Sequence, residues 1–179
     1  MDRAKKNIVE LTRCSVADYK AMPKHQVILL ADNVRSMHNI GAFFRTADAF
    51  RIHSIILGGI SGCPPHPEIS KSALGAEESV DWVHVEDTVA EARRLQSEGW
   101  KICVLEQAHD SIPLRNFSPE GDDLKLVLVA GNEVKGVDQR LVDMADYVIE
   151  IPQEGTKHSL NVSTSTAIAL YHIYELLSC

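Results

Sequence analysis

The sequence predicts an α/β domain built on a mostly parallel sheet flanked by helices. Three observations carry that prediction. The apolar runs Val27–Ala31, Leu124–Ala130 and Tyr147–Ile151 are of strand length and rich in Val, Ile and Leu, as strands covered on both faces are. Segments with helical spacing alternate with them. No internal repeat, low-complexity tract or linker breaks the alternation, and 179 residues suit a single domain with a substantial core.

In chain order, Val27–Ala31 reads as the first buried strand. Gly41–Phe50 follows as a helix, with Ala42, Phe43, Ala47 and Phe50 on or near one face. Ser54–Leu57 is a second strand, closed by Gly58 and Gly59, and a loop rich in Pro and Gly leads to a short helix near Glu68–Leu74. Val80–Val85 alternates like a strand with one exposed side. Thr88–Glu98 is a helix stopped by Gly99, and Lys101–Leu105 a further strand. After a loop with Pro113 and Pro119 comes Leu124–Ala130, the best buried strand of the chain. Val137–Met144 is a short helix, Tyr147–Ile151 the last strand, and a final helix holding the apolar segment Ala167–Leu177 ends near Leu177.

Composition narrows the function. No apolar run reaches the length of a membrane span, and the N-terminus lacks the apolar centre of a signal peptide, so no membrane is expected. Cys14, Cys63, Cys103 and Cys179 form no CxxC pair, which argues for reduced thiols and a cytoplasmic location. The eight histidines show no HxxxH spacing, so no metal is expected either. Net charge is −7, but residues 1–25 carry six basic against three acidic side chains, leaving −10 on the remainder. This basic N-terminal helical segment, read as part of the same domain, either guides a polyanion locally or is a solvated helix end. GxGxxG, GxxxxGK[ST] and GxSxG are all missing, which argues against common dinucleotide enzymes, NTPases and serine hydrolases.

Ligands of open parallel sheets sit beyond the carboxyl ends of strands, and three polar clusters fall at that edge. The first, Asn33 to Asp48, places Asn39 at or just before a helix start, Gly41 for close backbone approach, and Arg45 among apolar neighbours. A guanidinium there needs an anion such as phosphate, although a helix pair with Asp48 would also serve it. The second, Ala130 to Val137, puts Glu133 between Gly131 and Gly136, either to accept bonds from Arg45 or a ligand, or to cap a turn. The third, Ile151 to Ser163, is a loop with Gly155 that enters the last helix, where Ser159 and Asn161 either form a cradle or cap the helix.

Taken in order, these clusters closely resemble the SpoU (TrmH-like) family of RNA ribose 2′-O-methyltransferases, within the SPOUT superfamily. The motif NxxxxxNxGAxxRTADA is matched at Asn33–Ala49, LVxGxExxG at Leu128–Gly136, and IPxxGxxxSLNVS at Ile151–Ser163. The likeness runs from about Val27 to Tyr174, most of the chain. It implies a C-terminal deep trefoil knot, which pattern reasoning would not propose because knots are nearly absent among folds. It implies S-adenosyl-L-methionine (AdoMet) held in the knot, and a homodimer with the site at its interface. By position, Gly131, Ile151 and Leu160 are the implied cofactor-binding set, with Leu105 and Glu106 as further candidates. Asn39, Arg45, Glu133, Ser159 and Asn161 match the family's functional polar residues.

The implied reaction is transfer of the sulfonium methyl to a ribose 2′-hydroxyl of tRNA or rRNA. The family proposal makes the matched arginine the general base. A group with a pKa above ~12 is a poor base at neutral pH, so Arg45 is expected to bind phosphate and stabilise alkoxide charge, with Asn39 and Glu133 orienting the arginine and the ribose. Only about 25 residues precede the first strand, where many relatives carry an RNA-binding domain; this looks like the minimal form, and its size favours tRNA over rRNA. Lys71 lies in Lys71–Glu77, similar to a family loop near the substrate, and reads equally as a phosphate contact or a surface lysine. A non-catalytic RNA-binding dimer and a small-molecule methyltransferase are the competing readings.

Overall fold

A computed structural model describes residues 4–7, 10, 14–119, 121 and 124–177. Part of the expected N-terminal segment, including Arg3 and Arg13, lies outside the described residues, as does Cys179. The elements run α1 (Val16–Ala21), β1 (His25–Asp32), α2 (Met37–Ala49), β2 (Ile52–Gly58), α3 (Pro67–Ala73), α4 (Ala76–Ser79), β3 (Trp82–Val85), α5 (Thr88–Ser97), β4 (Lys101–Leu105), β5 (Ile112–Pro113), a 3₁₀ turn (Leu114–Asn116), β6 (Leu126–Ala130), α6 (Gln139–Met144), β7 (Tyr147–Glu150) and α7 (Val162–Leu177).

The strands form one seven-stranded sheet in the order β3-β2-β1-β6-β4-β7-β5, and every pairing between named strands is parallel. The near-continuous apolar runs account for this, because the two-residue period sends alternate side chains into two separate cores. Val27, Leu29, Ala31, Leu126 and Leu128 pack beneath α2, α3, α4 and α7, while Ile28, Leu30, Val127 and Val129 pack beneath α5 and α6. The expected cover on both faces is therefore present, but unevenly divided. Among the described residues no helix is long and apolar enough to cross a membrane.

Differences from the sequence expectation are local and have physical causes. Helix α2 begins at Met37, four residues before the expected Gly41, because Ser36 caps it by accepting from the Asn39 amide at 3.3 Å. Asn39 thus lies inside the first turn rather than at or before the start. Helix α7 begins at Val162, capped by Asn161, whose Oδ1 accepts from the Ser163 amide at 2.9 Å and its hydroxyl at 2.7 Å. Thr166, Ala169, Leu170 and Ile173 give α7 its buried stripe. Edge strand β5 and helix α4 were not expected; at two and four residues they are too short to carry a periodic signal.

Candidate active site

An open cleft of about 1260 Å³ lies beyond the carboxyl ends of β4, β6 and β7. Its walls come from residues 105–109, 131–137 and 148–153, and from 159–162 at the entry to α7. Of the expected site residues, Leu105, Glu106, Gly131, Glu133, Ile151, Ser159, Leu160 and Asn161 all line it. The contribution after β4 is larger than expected, and the cluster after β1 reaches the cleft only through its partners.

Each wall is tied to the next. Gly131 opens a tight loop in which Asn132 and Gly136 exchange two backbone bonds of 3.0 Å, and a Cβ on Gly131 would strike the backbone of Gly136 and Val137. The Glu106 carboxylate crosses from β4, accepting from the Val137 amide at 3.0 Å and from the Gln107 amide at 2.8 Å. Asp32, buried at the end of β1, accepts from the Asp138 amide at 2.9 Å and from the Thr88 hydroxyl at 2.8 Å. Asn132 donates to the Asn33 carbonyl at 2.8 Å, which fixes the loop after β6 against the loop after β1. Gln107 donates to the His158 carbonyl at 2.9 Å and pins the segment that leaves β7.

A chain of side chains links all three polar clusters. Glu133 accepts from the Arg35 amide (3.0 Å), the Ser36 amide (2.9 Å) and the Asn39 side-chain amide (3.0 Å). Because Asn39 must donate its Nδ2 to a carboxylate, its Oδ1 is left to accept, and Asn161 Nδ2 donates to it at 3.2 Å. Asn39 is 4% exposed, so both ends of its amide are satisfied within the protein. Burial pushes the Glu133 carboxyl up, but the Arg35 and Ser36 amides and Asn39 outweigh it and hold the group below its ordinary range. Its negative charge also complements the N-terminus of α2.

Several expectations are corrected by these contacts. Glu133 does not accept from Arg45. Its oxygens are engaged by the start of α2 and by Asn39, so Glu133 orients that helix and amide rather than the arginine. Arg45 is exposed, and it is not paired with Asp48, which accepts from the Ser79 hydroxyl at 2.6 Å. It lines a second depression of about 500 Å³, together with His38, Phe50, Lys71 and Ala167. The close approach allowed by Gly41 is that of α3, since a Cβ there would meet the Ile69 carbonyl and Ser72. A Cβ on Gly155 would meet open space, so no close approach within the protein requires a glycine there. Ser159 is exposed, and its hydroxyl has no partner among the described residues; Asn161 alone does the capping.

Sequence reasoning missed Ser36, Asn132 and Asp32 as organisers of the site. For Ser36 the signal was available, as a Ser three residues before a polar residue entering an apolar helix. Asp32 has one local partner, the Asn33 side chain at 2.8 Å, but the two contacts that tie it to the site come from residues 56 and 106 positions away.

Fold and site together define an α/β protein with a cleft built from the loops beyond three parallel strands, closed by the segment entering its last helix. Residues 26–171 match the profile of the SpoU rRNA Methylase family, and the chain belongs to that family. It is 31% identical to the 23S rRNA (guanosine-2′-O-)-methyltransferase RlmB of Vibrio parahaemolyticus, over 90% of this chain and 64% of that one. It superposes with a TM-score of 0.80 on the TrmH/SpoU tRNA modifying enzyme of A. aeolicus, at 27% identity, covering 91% of this chain and 82% of that one. An AdoMet-bound rRNA methyltransferase from Sinorhizobium meliloti gives a TM-score of 0.78 at 26% identity, covering 89% and 60%. The chain spans about three fifths of the length of the curated relatives it matches.

Proposed function

We propose that the protein transfers a methyl group from AdoMet to a ribose 2′-hydroxyl of RNA. The observation that carries this reading is the Glu133–Asn39–Asn161 chain, which joins the three family motifs at one cleft. The cleft suits AdoMet. Leu105, Ile151 and the partly exposed Leu160 offer apolar surface for a flat base, the surrounding loops bring main-chain groups for its polar edges, and the volume exceeds the ~300–1,000 Å³ typical of small-ligand sites. Gly131, Glu106, Leu105, Ile151 and Leu160 would hold the cofactor, whose sulfonium supplies the methyl group. Residues 151–161, pinned by Gln107 and Asn161, are the segment that makes the knot crossing in this reading.

The work of the chain is positioning. Glu133, held as a carboxylate with its oxygens engaged, is a poor proton acceptor; it fixes Asn39, which fixes Asn161. The free Ser159 hydroxyl beside them contacts the ribose. Arg45 stays charged, binds the neighbouring phosphate and stabilises negative charge growing on O2′, while the proton passes to solvent. Since Arg45 lines a depression apart from the cleft, it reaches the reacting ribose from a second copy of the chain. Exposed Ile168 and Tyr171 on α7, beside that depression, give a dimer its apolar surface. We place the enzyme in the cytoplasm, with tRNA preferred to rRNA.

Incubation with methyl-labelled AdoMet and unmodified total RNA tests the reading. Label in RNA at a 2′-O position is expected. RNA binding without label would favour a non-catalytic module, and label confined to small molecules would favour a different methyltransferase. Arg45→Lys keeps the cation but loses the planar fork; a fall in turnover of at least tenfold is expected, and near-normal turnover would contradict the role given to Arg45.

A further inference from the structure

We infer that Lys71 is a second ligand for an RNA phosphodiester, gripping it together with Arg45 in the depression between α2, α3 and α7. The inference rests on the RNA-methyltransferase reading and adds to it a residue outside the three motifs. His38, Arg45 and Lys71 line the depression, and no Asp or Glu does, in a chain that carries 25 acidic residues and a net charge of −7. Lys20 pairs with Asp81, Arg94 with Glu91 and Glu98, Lys101 with Asp146 and Arg140 with Asp138, so those four cations are held by carboxylates of the protein. Arg45 and Lys71 have no such carboxylate among the described residues.

Both are carried on one rigid unit. Gly41 lets α3 lie against α2, and the Ser72 hydroxyl donates to the His38 carbonyl at 3.1 Å, so the two cations keep their relation. Ala42, Phe50 and Ala167 form an apolar wall that lowers the local dielectric and strengthens attraction to an anion. A planar fork and a compact ammonium then supply complementary contacts to one phosphate.

The test is a titration of the 179-residue chain with unmodified bulk tRNA from roughly 50 to 200 mM salt. Wild type, Lys71→Gln, Lys71→Arg and the control Lys101→Gln are compared, with AdoMet affinity measured alongside. Lys71→Gln is expected to weaken RNA binding about tenfold and to lower the log–log salt slope by about 0.7–0.9. Lys71→Arg restores the slope, and AdoMet affinity does not change. A Lys71→Gln slope equal to that of wild type overturns the inference alone. Absence of any salt-dependent RNA binding by the wild type overturns it together with the function on which it rests.

Discussion

The side-chain amide of Asn39 is where three distant pieces of sequence meet. The motifs make Asn39, Glu133 and Asn161 legible as important residues, but their pairing spans 94 and 122 positions and is set by the fold, so the sequence pointed instead to an Arg45–Glu133 contact that does not form. Glu133→Gln removes the charge and turns one acceptor into a donor, leaving the Arg35 or Ser36 amide without its partner. The expected cost is about 1–3 kcal/mol, read as a lowered melting temperature with greatly reduced methyl transfer. The pH dependence has a definite sign. A carboxyl depressed in the folded state stabilises fully above its unfolded value of about 4.3 and loses that contribution as pH falls through the folded value. Wild-type melting temperature should therefore drop more steeply than that of Glu133→Gln over roughly pH 5 to 3; parallel curves would show that the carboxylate is not held as described. Thr166 offers the opposite kind of test. Its hydroxyl is buried on α7 with no partner among the described residues, so Thr166→Val should stabilise the protein by about 1 kcal/mol, raising its melting temperature by about 2–4 °C.

At the scale of elements, the loop between β6 and α6 decides the shape of the cleft. It is held at its start by Asn132 on the Asn33 carbonyl and at its end by Glu106 on Val137 and Asp32 on Asp138. Gly131→Ala would force a methyl into the backbone of Gly136 and Val137. The expected result is AdoMet affinity reduced at least tenfold with the fold retained by circular dichroism; unchanged affinity would mean the loop does not shape the cofactor site. Strands β1, β4, β6 and β7 were readable because continuous apolar runs have one explanation in a parallel sheet. The Ser36 cap of α2 was readable too, but the bond from the Asn39 side chain to Glu133, 94 residues away, is absent from any local pattern.

At the scale of the whole molecule, strand order separates what a sequence tells from what it does not. Alternating elements predicted the parallel sheet, but nothing in the chain said that β6 lies between β1 and β4, or that β7 lies beyond β4. That order brings the ends of β4, β6 and β7 to one cleft and leaves Arg45 at another surface, which is why the account calls for two copies of the chain. The most direct test is nucleoside mass spectrometry of unmodified RNA after incubation with the protein and methyl-labelled AdoMet, with Asn39→Ala in parallel. The account predicts label in a 2′-O-methylnucleoside for the wild type and at least a hundredfold less for the variant. Label on a base, or equal 2′-O-methylation by Asn39→Ala, would contradict it.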